Sequence, residues 1–117
     1  MIKWDGKFHV LEIKATTTFG AFQKAKEKYP AEYVLQKWNE DYYAQAMTYC
    51  KYAELDSHLL ICADAGGRNL DYVITPANNE YADALLMKAK RIADAKTPPQ
   101  KSGGRNYWKC KMCAFIS

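Results

Sequence analysis

The sequence predicts an α/β fold of α+β character, a mixed central sheet flanked by helices, and three observations carry that expectation. A β-prone run, Phe8 to Lys14, follows an Asp5-Gly6 turn, and apolar runs of strand length flank a second turn at Gly66-Gly67. Two longer stretches, Ala31 to about Leu55 and Ala77 to about Ala95, repeat their apolar residues at helical spacing. A length of 117 residues suits one domain.

The elements follow in order. Asp-Gly favours a tight hairpin turn, so Met1 to Trp4 is expected to pair with the strand Phe8 to Lys14. Four residues make a short partner, as if the chain opened midway through a hairpin. Ala15 to Gly20 is a Thr-rich connection, and Phe19 to Lys28 reads as a short basic helix or loop ending near Pro30. Along the helix from Ala31, the residues Trp38, Tyr42, Gln45, Tyr49 and Tyr52 step by four and three and so share one stripe. Ser57 to Ala63 and Leu70 to Thr75 form a second hairpin around Ala65 to Asn69. Pro76 opens the last helix, in which Tyr81, Leu85, Ala89 and Ile92 are expected to face inward. Lys88, Lys90 and Arg91 gather near its C-terminal end, where the helix dipole favours cations. Thr97 to Gly104 is a linker by composition. The expected organisation is therefore a core over residues 1–95 and a basic linker with a Cys-x-x-Cys tail over residues 96–117.

Composition excludes several classes. With 49% hydrophobic and 26% charged residues the chain is built to pack rather than to stay disordered. No window approaches the roughly 18 apolar residues of a membrane span, and Met1 to Lys7 lacks the apolar core of a secretory signal. A cytoplasmic protein with no membrane partner is the expectation. The net charge is +4, but Lys96 to Ser117 holds Lys96, Lys101, Arg105, Lys109 and Lys111 without any acid, so the positive field belongs to the tail. Cys50 and Cys62 lie in apolar segments and only Cys110 and Cys113 are closely spaced, which fits half of a metal or iron–sulfur site better than a disulfide framework.

Strand alternation puts Glu12 and Lys14 on one side and His9, Leu11 and Ile13 on the other, with the apolar run expected to be buried. In phosphodiester hydrolysis a carboxylate holds a divalent metal, while a lysine positions water and offsets charge on phosphorus. An exposed salt pair on an edge strand, worth at most about 1 kcal/mol, would use the same residues. Gln45 and Tyr49, four apart, stack on one helix face, where an amide can orient a lysine or a water and a phenol can bond a phosphate oxygen. A core helix whose glutamine reaches the sheet edge accounts for them too. His9 and His58 read as ordinary strand histidines, since neither has a second histidine at metal-site spacing.

Taken in order, the elements are a hairpin, a strand carrying Glu12-Ile13-Lys14, a helix carrying Gln45-Ala-Met-Thr-Tyr49, two strands, a helix, and Trp108-Lys-Cys110-Lys-Met-Cys113. Over essentially the whole chain this resembles the PD-(D/E)XK nuclease superfamily, specifically the RecB-like branch that includes CRISPR-adaptation exonucleases and many phage recombination exonucleases. The resemblance implies a restriction-endonuclease-like core that hydrolyses DNA with Mg²⁺ or Mn²⁺. It makes Glu12 a metal ligand, the carbonyl of Ile13 another, Lys14 the catalytic lysine, and Gln45 and Tyr49 the helix motif. It also makes Cys110 and Cys113 ligands of a [4Fe–4S] cluster or of zinc. The implied partners are DNA and either the remainder of a larger nuclease or a recombination partner protein, in a bacterial or phage-infected cell.

The sequence departs from that pattern at both ends. Asp5 lies seven residues before Glu12, roughly 23 Å away at about 3.3 Å per residue, so it reads as the turn residue rather than the family's second metal-ligand Asp. That Asp, with an N-terminal strand and helix, would lie upstream of Met1. The tail lacks the family's third and fourth cysteines, and Cys50, about 100° around the helix from Tyr49, is expected to be a packed thiol. The chain therefore reads as a fragment of a larger nuclease or a degenerate descendant. Two functions stay open: a metal-dependent DNA exonuclease module, with weak or no turnover expected of this chain alone because one carboxylate rarely holds Mg²⁺ tightly, and a non-catalytic DNA- or protein-binding module on the same fold. In the second, tail cations would grip phosphates while Trp108, Tyr107 or Phe19 stack on unpaired bases.

Overall fold

The computed structural model describes residues 1–98. Met1–Leu86 forms one compact unit and a second begins at Met87. Strand β1 (Ile2–Trp4) turns at Asp5-Gly6 into β2 (Lys7–Thr16). Both turn residues have positive φ, 49° and 76°, as a tight hairpin turn between right-twisted strands requires. Three helices follow, α1 (Phe19–Lys28), α2 (Ala31–Trp38) and α3 (Glu40–Ala53), and the chain returns through β3 (Ser57–Asp64), β4 (Leu70–Pro76) and α4 (Asn79–Asp94).

The sheet is mixed, in the order β1-β2-β3-β4. Hairpins make β1/β2 and β3/β4 antiparallel, whereas α1 to α3 form the crossover that lets β3 run parallel to β2. The registers Glu12↔Leu60 and Leu60↔Val73 align the faces of three strands. Leu60, Cys62 and Val73 meet Phe19, Phe22, Ala25, Val34, Leu35, Tyr43, Ala46 and Met47 from the three helices in one core. The mixed sheet flanked by helices is as expected, but the helix layer packs on the face that carries Glu12 and Lys14. The opposite face leaves Ile13 67% exposed, contrary to the expectation that the apolar side of β2 would be buried.

The long helix expected from Ala31 is two helices. Asn39, extended at φ −154° and ψ 99°, closes α2 and caps α3, its Oδ1 accepting the Tyr42 backbone N–H at 3.2 Å. Glu40 and Asp41 then sit in the first turn of α3, where the positive end of the helix dipole favours them. Replacing Asn39 by alanine is expected to lower the unfolding free energy by about 1 kcal/mol in urea titrations monitored by circular dichroism. An unchanged midpoint would show that the break is held by packing alone.

Three other expectations need correction. Phe19, proposed as a base-stacking residue, is only 8% exposed and belongs to the core, because it starts α1 on the face that meets the sheet. Helix α4 opens at Asn79, with Asn78 Oδ1 accepting the Tyr81 N–H at 3.0 Å, rather than at Ala77. Within it Tyr81, Ala82 and Leu85 are wholly or partly buried, whereas Ala89 and Ile92 are exposed. No helix among the described residues is long and apolar enough to cross a membrane.

Candidate functional site

Glu12 and Lys14 leave β2 side by side on the helix-covered face, with Lys14 Nζ 3.9 Å from Glu12 Oε1. They are not an exposed edge pair: only 22% of the lysine side chain and 15% of the glutamate side chain remain accessible. The wall opposite is α3, whose Tyr42 ring lies under the ammonium at 4.2 Å from its centroid. Partial burial makes that cation–π contact stronger than the same contact in water. Tyr42 is itself held by Trp38 edge-on at 5.4 Å, and Trp38 by Phe22 at 5.0 Å, so a row of rings from the core seats the lysine.

One turn beyond Tyr42, Gln45 Nε2 donates to Tyr49 Oη at 2.8 Å. This bond uses the phenol oxygen as acceptor, so the tyrosine O–H and the Gln45 carbonyl oxygen still have hydrogen-bonding capacity to offer. Tyr49 is 41% exposed, and helical spacing puts both residues on the stripe that Tyr42 occupies. The glutamine therefore lies on the same side of the sheet as Glu12 and Lys14.

A residue that sequence reasoning set aside completes the arrangement. His58, on β3 in register with Val10, is fully buried, and its Nε2 is 3.6 Å from Glu12 Oε1. Burial, reinforced by the charge of Lys14, lowers its pKa to about 4, so the ring is neutral at pH 7. The signal for it was its place two residues before Leu60 on a buried face, but only the strand register shows that Glu12 faces it. His9, by contrast, pairs with the Ser57 hydroxyl.

Three other acids on or next to the strands are committed elsewhere. Asp64 staples the β3/β4 turn by accepting from Asn69 Nδ2 at 2.8 Å and the Arg68 N–H at 2.9 Å, contacts that hold its pKa below the usual carboxylate value. Asp71 accepts from Lys26. Asp5 is the hairpin turn residue. Among the described residues no group of three or more His, Cys, Asp or Glu is placed to hold a metal ion. Glu12 suits a hard cation as a single ligand, since its carboxylate keeps 15% of the side chain accessible while Oε1 is buried. Among the described residues β1 pairs with β2 only as far as His9, short of Ile13. Cys50 is a packed thiol, 1% exposed, its pKa raised to about 11 by burial and by Asp56. Cys110, Cys113, Tyr107 and Trp108 lie outside the described residues.

Comparison with protein-family models, with curated proteins and with solved structures found no match.

Proposed function

We propose that this chain is the core of a divalent-cation-dependent deoxyribonuclease that hydrolyses phosphodiester bonds in the manner of the PD-(D/E)XK nucleases. The observation that carries the reading is the half-buried Glu12–Lys14 pair, seated on Tyr42 one turn from the bonded Gln45 and Tyr49. A salt pair with only a surface role needs no aromatic seat. When bound, Mg²⁺ or Mn²⁺ supplies Lewis acidity to the scissile phosphate and lowers the pKa of water.

The residues of the chain do the rest. Glu12 would offer a carboxylate oxygen to the cation and Ile13 its backbone carbonyl. The Lys14 ammonium, held by Tyr42 and Glu12, faces the charge that builds on the phosphoryl oxygens. Tyr49 donates its O–H to a phosphate oxygen, and the Gln45 carbonyl accepts from water or from Lys14. The tail, with Cys110 and Cys113 as ligands of an iron–sulfur cluster or zinc, adds DNA affinity through its cations.

Incubating the full chain with linear DNA and Mn²⁺ is expected to give slow cleavage that EDTA stops, slow because Glu12 is a single carboxylate ligand. Lys14→Ala and Glu12→Gln are expected to reduce the rate by about 10²–10³, the cost of removing one preorganised electrostatic contact. Metal-independent retention on DNA, equal in wild type and Lys14→Ala and without cleavage, would overturn the nuclease reading in favour of a binding module on this fold.

A further inference from the structure

The helix-covered face of the sheet buries a polar row that satisfies itself only in one arrangement. Thr75 of β4 stands directly across from His58 of β3, and neither residue is exposed. Thr75 Oγ1, His58 Nδ1, His58 Nε2 and Glu12 Oε1 are all sealed from solvent, and none has a hydrogen-bond partner. A buried polar group without a partner is costly, so orphans on three neighbouring strands carry a penalty that mutual pairing removes. The separations allow it. His58 Nε2 is 3.6 Å from Glu12 Oε1, a few tenths of an ångström beyond hydrogen-bond reach and too close for an intervening water. Residues opposite one another in an antiparallel pair have Cβ atoms about 4.5–5.5 Å apart, within range of a hydroxyl and a ring nitrogen.

A neutral imidazole offers one donor and one acceptor, and its tautomer decides which nitrogen is which. With the proton on Nδ1, the Nε2 lone pair would face the lone pairs of Glu12 Oε1. With the proton on Nε2, that N–H points at the carboxylate and Nδ1 accepts the Thr75 hydroxyl proton. Of the two tautomers only the second pairs every orphan, and the pairing requires in every case a proton on Nε2.

We propose that Thr75, His58 and Glu12 form a hydrogen-bonded relay across three strands, in which the Nε2–H of His58 holds Glu12 Oε1 and leaves Oε2 to bind a divalent cation. His58 and Thr75 are positioning residues, since neither has a solvent-exposed atom to offer a substrate. The exposure that Glu12 retains lies away from Oε1, which fits a carboxylate anchored by one oxygen and presented by the other. The cation half of the inference rests on the proposed function; the relay itself does not.

Two measurements test it on the full chain. Long-range ¹H–¹⁵N spectra at pH 7, with the His58 signals identified by their loss in His58→Gln, are expected to show a proton on Nε2. A ring protonated at Nδ1 alone overturns the relay. Mn²⁺ affinity, read by the electron paramagnetic resonance of the free ion, is expected to fall about tenfold in His58→Phe, the usual scale for losing a ligand's supporting bond. His58→Gln, which keeps an N–H near the Nε2 position, is expected to recover affinity to within about threefold of wild type. Equal Mn²⁺ affinity in wild type and a folded His58→Phe overturns the positioning role. A wild type that binds no Mn²⁺ overturns the cation reading, while the tautomer spectrum still decides the relay.

Discussion

Phe22→Ala is expected to lower the unfolding free energy by about 3–5 kcal/mol, a large part of the stability of a domain this size. Phe22 has no exposed surface and stands where α1 meets α2, tilted against Phe19 at 6.4 Å and edge-on to Trp38 at 5.0 Å. Truncation removes the ring's transfer free energy and leaves a cavity that rings fixed to two different helices cannot collapse to fill. The edge-to-face contact adds about 0.5–1.5 kcal/mol beyond area burial. The same residue starts the row Phe22–Trp38–Tyr42 that ends under Lys14, so packing and site are coupled. Urea unfolding followed by far-ultraviolet circular dichroism measures the loss. Phe22→Leu, which keeps most of the volume, is expected to cost less than half as much while weakening the near-ultraviolet signal of the packed rings. A midpoint for Phe22→Ala within about 1 kcal/mol of wild type would mean that the core lies elsewhere.

Much of this fold is legible in the sequence because each strand carries its own turn chemistry. Asp5-Gly6 and Gly66-Gly67 mark hairpins, and the alternation between them puts Glu12 and Lys14 on one face. Alternation says which residues share a face, not which face the helices cover. Ile13 and Leu11 made the opposite side of β2 look like the core side, yet the crossover through α1 to α3 lands on the charged side, where β3 and β4 supply the apolar surface through Leu60, Cys62 and Val73. The break at Asn39 escapes the sequence pattern for a related reason: the stripe Trp38–Tyr42–Gln45–Tyr49 stays aligned across it, so periodicity alone does not register it. The signal was local, an Asn followed by Glu40-Asp41. Within the candidate site, Gln45 and Tyr49 are readable because i to i+4 neighbours meet on any helix. His58 and Thr75 are not, because their meeting with Glu12 depends on two strand registers separated by the whole crossover.

Lowering the pH from 7 to 4 is expected to destabilise the fold by about 3 kcal/mol through His58 alone. In the unfolded chain this histidine titrates at its ordinary value of 6.5, whereas burial first and the Lys14 charge second lower the folded value to about 4. Above pH 6.5 both states are neutral and the full stability is present. Between 6.5 and about 4 the unfolded chain binds a proton that the folded chain refuses, so stability falls by about 1.4 kcal/mol per pH unit. Below about 4 both states are protonated and this contribution stops changing. Two charged groups compete at the ring: Lys14 opposes an imidazolium, Glu12 at 3.6 Å favours one, and complete burial tips the balance toward the neutral form. Asp64, whose folded pKa is lowered chiefly by the Asn69 side chain, loses its contribution only nearer pH 3.8 and below, outside most of this window. Urea midpoints at pH 7, 5.5 and 4 measure the slope, and His58→Gln, which has nothing to protonate, is expected to flatten it. A wild type and His58→Gln that lose stability in parallel from pH 6.5 to 4 would show that the buried ring takes up its proton in the folded chain as readily as in the unfolded one.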